Sequence, residues 1–172
     1  MRNLLRSRKK PPLEVFALSI VFMAGLTSPV SAFEQEHLDR LLSTNACPQC
    51  DLSDANLRNA NLNSADLRGA ILTNANLRGA ILIDADLRDT DLRGANLRRA
   101  ELSFTNFSGA DAREADLSRA ELRETRWRGA DVRQANFRQA EFRGTNLTGA
   151  KICQTVMPNG RRDTRHCDDF GN

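Results

Sequence analysis

The stretch Ala55-Asn56-Leu57-Arg58-Asn59-Ala60-Asn61-Leu62-Asn63-Ser64-Ala65-Asp66-Leu67-Arg68-Gly69 states one five-residue pattern three times, and the pattern runs from Cys50 to Gln154 without insertion or deletion. Its centres fall every five residues from Leu52 to Ile152, 21 in all. Fourteen are Leu, three are Phe (Phe107, Phe137, Phe142), and the others are Ala112, Trp127, Val132 and Ile152. Two residues before each centre stands Ala in 16 repeats, Thr in four and Cys50 in one. Aromatic residues are only 5% of the chain and Tyr is absent, which suits a narrow core of small, even layers.

A period of five excludes the common elements. On an α-helix each step of five turns about 140°, which scatters the leucines around the cylinder. On a flat strand an odd step alternates faces and sends half of them into water. A chain that turns a corner once per repeat avoids both outcomes. If four repeats close a square coil, every centre and every preceding Ala points inward, while the intervening Asp or Asn and the two following residues face solvent.

The A(D/N)LXX pattern resembles the pentapeptide-repeat family. The resemblance implies an all-β solenoid, a right-handed quadrilateral parallel β-helix of 20 residues per coil and about five coils here. At about 4.8 Å per coil the rod core is about 25 Å long. Residues 20 apart then stack. Trp127 falls one coil from Phe107 and from Leu147, and the undersized Ala112 falls on the side next to Phe107, as volume compensation in a packed core requires. Thr105, Thr125 and Thr145 share an inward column, where their hydroxyls need partners in the backbone or in one another.

Outside, Asp91, Asp111 and Asp131 stand two residues before Arg93, Arg113 and Arg133, and Glu121 and Glu141 before Arg123 and Arg143, with Glu101 below. These read as a solvated network of opposite charges. A more basic face carries Arg58, Arg78, Arg98 and Arg138 beside the neutral Asn56, Asn76, Asn96 and Asn136, a candidate surface for an acidic partner. Ile71, Ile81 and Ile83 occupy outward positions and Phe104 sits at a corner, which makes Ile71, Ile81, Ile83 and Phe104 a candidate interaction patch, with Ile81, Ile83 and Phe104 expected to cluster as a contact or oligomer surface.

Residues 1–32 read as a signal peptide, with a basic start, an apolar run from Val15 to Leu26, and Val30-Ser31-Ala32 before a predicted cleavage at Phe33. The run is shorter than the roughly 20 residues of a membrane span, so no stable span remains after cleavage. The formal charge of +3 belongs to this segment. It holds five basic residues and one acid, leaving 20 basic and 21 acidic in the remainder. Export points to a periplasmic or extracellular protein, or a thylakoid lumen one if the source is cyanobacterial.

Residues 33–49 read as an N-terminal cap. A short amphipathic helix presents Leu38, Leu41 and Leu42, with Glu34, Glu36, Asp39 and Arg40 elsewhere, and leads into Cys47-Pro48-Gln49-Cys50. Residues 50–154 are the β-helix, and residues 155–172 a C-terminal cap turning at Pro158-Asn159-Gly160. The length of the rod separates Cys47 and Cys50 from Cys153 and Cys167 too far for a cross-end bridge or a four-thiolate zinc site. The expected disulfides are therefore Cys47 with Cys50 and Cys153 with Cys167. Cys-flanked caps are also what the resemblance implies for exported members.

Two histidines, His37 and His166, one in each cap, are too few for a convergent catalytic or metal site, and no phosphate loop or nucleophile motif is visible. The expectation is a non-catalytic scaffold or rigid spacer that needs no cofactor, with an unidentified protein partner and no nucleic acid. A thiol–disulfide redox protein using Cys47 and Cys50 is the alternative. The family also includes acidic DNA mimics that bind DNA gyrase, a role that the many arginines and the export signal disfavour.

Overall fold

The computed structural model describes residues 32–165 and 167; the expected signal peptide apart from Ala32, and His166 and residues 168–172 of the expected C-terminal cap, lie outside them. The described residues form a right-handed quadrilateral β-helix behind one helix, α1 (Ala32–Thr44). All but one of the flat segments from Ala46 opposite Asp66 to Asn136 opposite Val156 meet the next coil in parallel register, 20 residues away, mostly through a single bridge. Because each side is so short, only β1 (Glu121–Arg123) and β2 (Glu141–Arg143) pair as a longer parallel strand pair. The side containing Leu52 is called side 1, and those of Leu57, Leu62 and Leu67 sides 2, 3 and 4; every twentieth residue returns to the same side.

The corners explain how a strand-like chain turns every five residues. All 21 residues two after a centre, from Asp54 to Gln154, have a positive φ between 54° and 80°. Seven of them are Gly and none is Val, Ile or Thr, the residues for which this conformation is most strained. At nearly every corner the next N–H closes a turn onto the centre's carbonyl, as Ala70 does onto Leu67 at 3.0 Å.

A second bond fixes the entry to each turn. All 14 Asp or Asn residues that precede a centre accept the N–H two residues on, as Asp66 accepts from Arg68 and Asn106 from Ser108. These side chains face solvent and also hold the turn.

Inside, the centres from Leu52 to Phe137 and most of the preceding alanines are fully buried. Each buried Leu contributes about 1.5–3 kcal/mol. The expected aromatic layer is present. Phe107 and Trp127 stack with centroids 4.1 Å apart, and Phe137 meets Trp127 edge-on at 5.7 Å. The threonines are all bonded, Thr105 to the Leu82 carbonyl at 2.7 Å and Thr125 and Thr145 to each other at 2.9 Å.

The coil extends one repeat beyond the expected boundary at each end. Cys47 takes a centre position and donates its N–H to the Asp66 carbonyl, and the tail strand β3 (Thr155–Val156) continues the ladder before pairing antiparallel with β4 (Arg162–Asp163). The hairpin turns at Pro158-Asn159-Gly160, with the Gly160 N–H on the Met157 carbonyl. Helix α1 stops at Asn45, whose positive φ and N–H to the Leu41 carbonyl make a C-terminal cap. Leu41 is fully buried and Leu38 partly so, but Leu42 is 59% exposed, contrary to the expected leucine face. Leu42 lies about 100° around the helix from Leu41, and His37 takes the docking position instead. The His37 Nδ1 lies 3.1 Å from the Asp51 N–H, which has no preceding coil to bond.

Candidate functional site

The four cysteines form the two expected bridges, Cys47–Cys50 and Cys153–Cys167. Cys47 and Cys50 are buried at inward positions after the end of α1, without the exposed, helix-N-terminal setting that activates a thiol. That disfavours the redox alternative. Among the described residues no group of three His, Cys, Asp or Glu could hold a metal ion.

The charged sides differ in how fully they are paired. On side 1, Arg93, Arg113 and Arg133 each grip the preceding Asp91, Asp111 or Asp131 at 2.6–2.7 Å. Side 4 repeats this with Asp66–Arg68 and Asp86–Arg88 at 2.8 and 2.6 Å, pairs not singled out from the sequence. Hydrogen bonds from the arginines hold Asp66, Asp86 and Asp91 below the usual carboxylate range. At Asp131 burial opposes ionisation, but the side-chain and backbone bonds from Arg133 outweigh it and keep the pKa low.

The basic face is side 2. Arg58, Arg78, Arg98 and Arg138 share it, but Ser118 breaks the column and Arg98 is drawn to Asp116 at 3.3 Å. The apolar patch divides. Ile71 lies on side 1, between Asp51 and Asp91, and is 40% exposed, whereas Ile81 and Ile83 lie on the opposite side 3. Phe104 stands at the corner of sides 3 and 4, one coil after Asp84, and is 45% exposed. The structure thus brings Ile81, Ile83 and Phe104 to one region and leaves Ile71 apart.

Phe104 also walls a groove of about 910 Å³ that the sequence reading missed, lined by Arg123, Glu124, Thr125, Arg126, Trp127, Arg128, Gly144, Asn146 and Thr148. On side 3, Arg143 pairs with Glu141 at 2.7 Å, but Arg123 does not pair with Glu121 and lines the groove instead. The groove opens where the ladder breaks. Among the described residues, the one rung missing between Ala46 and Val156 is Arg126 opposite Asn146. The Thr145 hydroxyl fills part of the gap, accepting the Thr125 N–H at 3.0 Å and donating to the Leu122 carbonyl at 2.8 Å. The sequence did hold a signal, since Arg126 and Lys151 are the only basic residues among the 21 that precede a centre.

A family model described as pentapeptide repeats matches residues 50–89, 80–119 and 115–152, in 8 copies. Among solved structures, the pentapeptide repeat protein Rfr23 from the cyanobacterium Cyanothece 51142 is 26% identical, with a TM-score of 0.59 over 72% of this chain and 98% of that one. HetL, a pentapeptide repeat protein involved in heterocyst differentiation regulation in the cyanobacterium Nostoc, is 26% identical, with a TM-score of 0.39 over 69% of this chain and 72% of its own. A pentapeptide repeat protein of the Arabidopsis thaliana thylakoid lumen is 29% identical, with a TM-score of 0.32 over 64% and 68%. No curated protein matches the sequence.

Proposed function

This chain belongs to the pentapeptide-repeat family, and from that premise we propose that it is an exported, non-catalytic scaffold that presents a rigid rod to a protein partner. Members of the family generally mediate interactions without catalysis. The observation that carries the reading is the corner at Phe104. Phe104 is one of three exposed large hydrophobic residues among those described, with Leu42 and Ile71, and it is the one that lies in the same region as Ile81 and Ile83. Export is supported by the basic and apolar leader and by two disulfides, which persist in an oxidising compartment such as a periplasm or lumen.

The test is cross-linking of the protein, expressed from the full chain, in the compartment it reaches, with wild type and Ile83→Arg compared. Loss of a specific cross-linked protein or of a homo-oligomer in Ile83→Arg supports the scaffold. An identical cross-linking pattern for the two proteins would mean that this side is a spacer surface. N-terminal sequencing of the recovered protein tests export, with Phe33 expected as its first residue.

A further inference from the structure

Arg126 breaks two local rules at once. At 14 other repeats the same position is Asp or Asn and accepts the N–H two residues on. An arginine has no acceptor, so the Arg128 N–H goes without that bond. Arg126 is also where the ladder lacks its rung. Trp127 and Asn146 therefore exchange no backbone bond, and the Thr125 carbonyl and the Trp127 and Asn146 N–H groups remain open among the described residues. Local rules broken together, without a visible structural gain, mark a position kept for something other than folding.

Around this gap stand three exposed guanidiniums, Arg123, Arg126 and Arg128, none in an ion pair or hydrogen bond among the described residues. Elsewhere an arginine two residues after an Asp is held by it. Glu124 is the one acid in the groove, which leaves it with two net positive charges.

We propose that this corner groove binds an extended acidic segment of a partner protein, with carboxylates taken by Arg126 and Arg128 and an apolar side chain laid on Phe104. The inference rests on the reading of the rod as an interaction scaffold, and it names where on the scaffold the partner docks and by what chemistry. Guanidinium forks match carboxylates in bidentate geometry. A groove of about 910 Å³ holds a few residues of peptide and is larger than a simple anion needs. A nucleic acid fits less well. Its phosphates would continue past the corner onto side 3, where Glu101, Glu121 and Glu141 are exposed.

The test uses the disulfide-intact protein expressed from the full chain and a short fluorescent peptide of alternating Glu and Leu. A Lys-for-Glu counterpart and a short single-stranded oligonucleotide serve as comparisons. Binding is read by anisotropy, and independently by the emission of Trp127, the single Trp of the chain. Two variants separate binding from folding. Arg126→Asn restores the turn-holding side chain, and Phe104→Gly relieves a positive φ of 63°, so both should melt no lower than wild type. The Glu-Leu peptide should bind saturably, weaken with salt, and lose about tenfold in affinity with Arg126→Asn and several-fold with Phe104→Gly. Absence of saturable binding, or equal binding by Arg126→Asn, overturns the proposal. Tighter binding of the oligonucleotide also overturns it and assigns the groove to nucleic acid. If the cross-linked partner is lost in Ile83→Arg while the peptide result is negative, the scaffold reading stands and the groove assignment fails alone.

Discussion

Replacing Thr145 by the isosteric Val removes a single hydroxyl at the point where the coil opens. The hydrogen-bond directions there are fully determined. The Trp127 Nε1–H donates to Thr125 Oγ1 at 2.9 Å, and the Thr145 hydroxyl donates to the Leu122 carbonyl at 2.8 Å. With its own proton committed, Thr145 Oγ1 must accept from the Thr125 hydroxyl at 2.9 Å, and it also accepts the Thr125 N–H at 3.0 Å. Thr145→Val therefore removes three bonds, each with a net worth of about 0.5–1.5 kcal/mol. One is recoverable, because the Thr125 N–H can close directly onto the Leu122 carbonyl, as Ala120 does onto Leu117. The remaining loss is about 1–3 kcal/mol, or a fall in Tm of roughly 2–12 °C for a chain of this size. Thermal unfolding followed by Trp127 fluorescence and near-ultraviolet circular dichroism measures it. Thr145→Ser keeps the hydroxyl and loses only a partly buried methyl, so it should melt between the two. If Thr145→Val melted at or above wild type while Thr145→Ser melted lower, the methyl and not the hydroxyl would be what matters, and the hydrogen-bond account would be refuted.

Ala112 is a fully buried centre beside the Phe107–Trp127 stack, so Ala112→Leu should overpack the layer and cost about 1–3 kcal/mol, with part recovered by adding Phe107→Leu. An unchanged denaturation midpoint for Ala112→Leu would end the volume-compensation reading. Opening the Cys153–Cys167 bridge, with a sequence separation of 14, should cost roughly 3 kcal/mol. Opening Cys47–Cys50, with a separation of 3, should cost less, and paired Cys→Ser variants compared by calorimetry check the order. Asp66, Asp86, Asp91 and Asp131 have folded pKa values below their unfolded ones. Their contribution is therefore complete above about pH 4 and is lost as pH falls through the lower folded values. Stability measured from pH 6 down to pH 2 should decline in that window, and less steeply in Asp131→Asn, which keeps the turn bond but not the charge.

The period, the inward centres, the stacked aromatics and both disulfides were legible because each depends on spacing alone. A strict five-residue step leaves few ways to bury Leu, and the length of the rod leaves one economical pairing of cysteines. What escaped the sequence depends on backbone direction. The spacing makes the 14 Asp and Asn residues that precede a centre solvent-facing, but whether their carboxyl or amide oxygen reaches the N–H two residues on follows from the turn itself. Helical periodicity allows Leu38, Leu41 and Leu42 on one broad apolar face, yet only Leu38 and Leu41 share the face that α1 presents. Ile71 and Ile81 group together as apolar residues at outward positions, but ten residues are half a coil and put the two on opposite sides.

The groove was half legible, and the reason bears on where function sits in a repeat protein. In a repeat written 21 times, each departure costs stability at its own position. Phe104 departs by holding a large side chain at positive φ, where Gly or Asn is cheaper, at a cost of roughly 1–2 kcal/mol. Arg126 departs by giving up a turn bond worth about 1 kcal/mol. Other repeats also lack the Asp or Asn, as at Glu121 and Lys151, and other corners also hold large side chains at positive φ, as at Arg99 and Arg119; what sets this corner apart is that both departures meet beside the single missing rung among the described residues. Their meeting is a stronger argument for a binding surface than the exposure of either residue, since exposure alone is common on any rod with this ratio of surface to core.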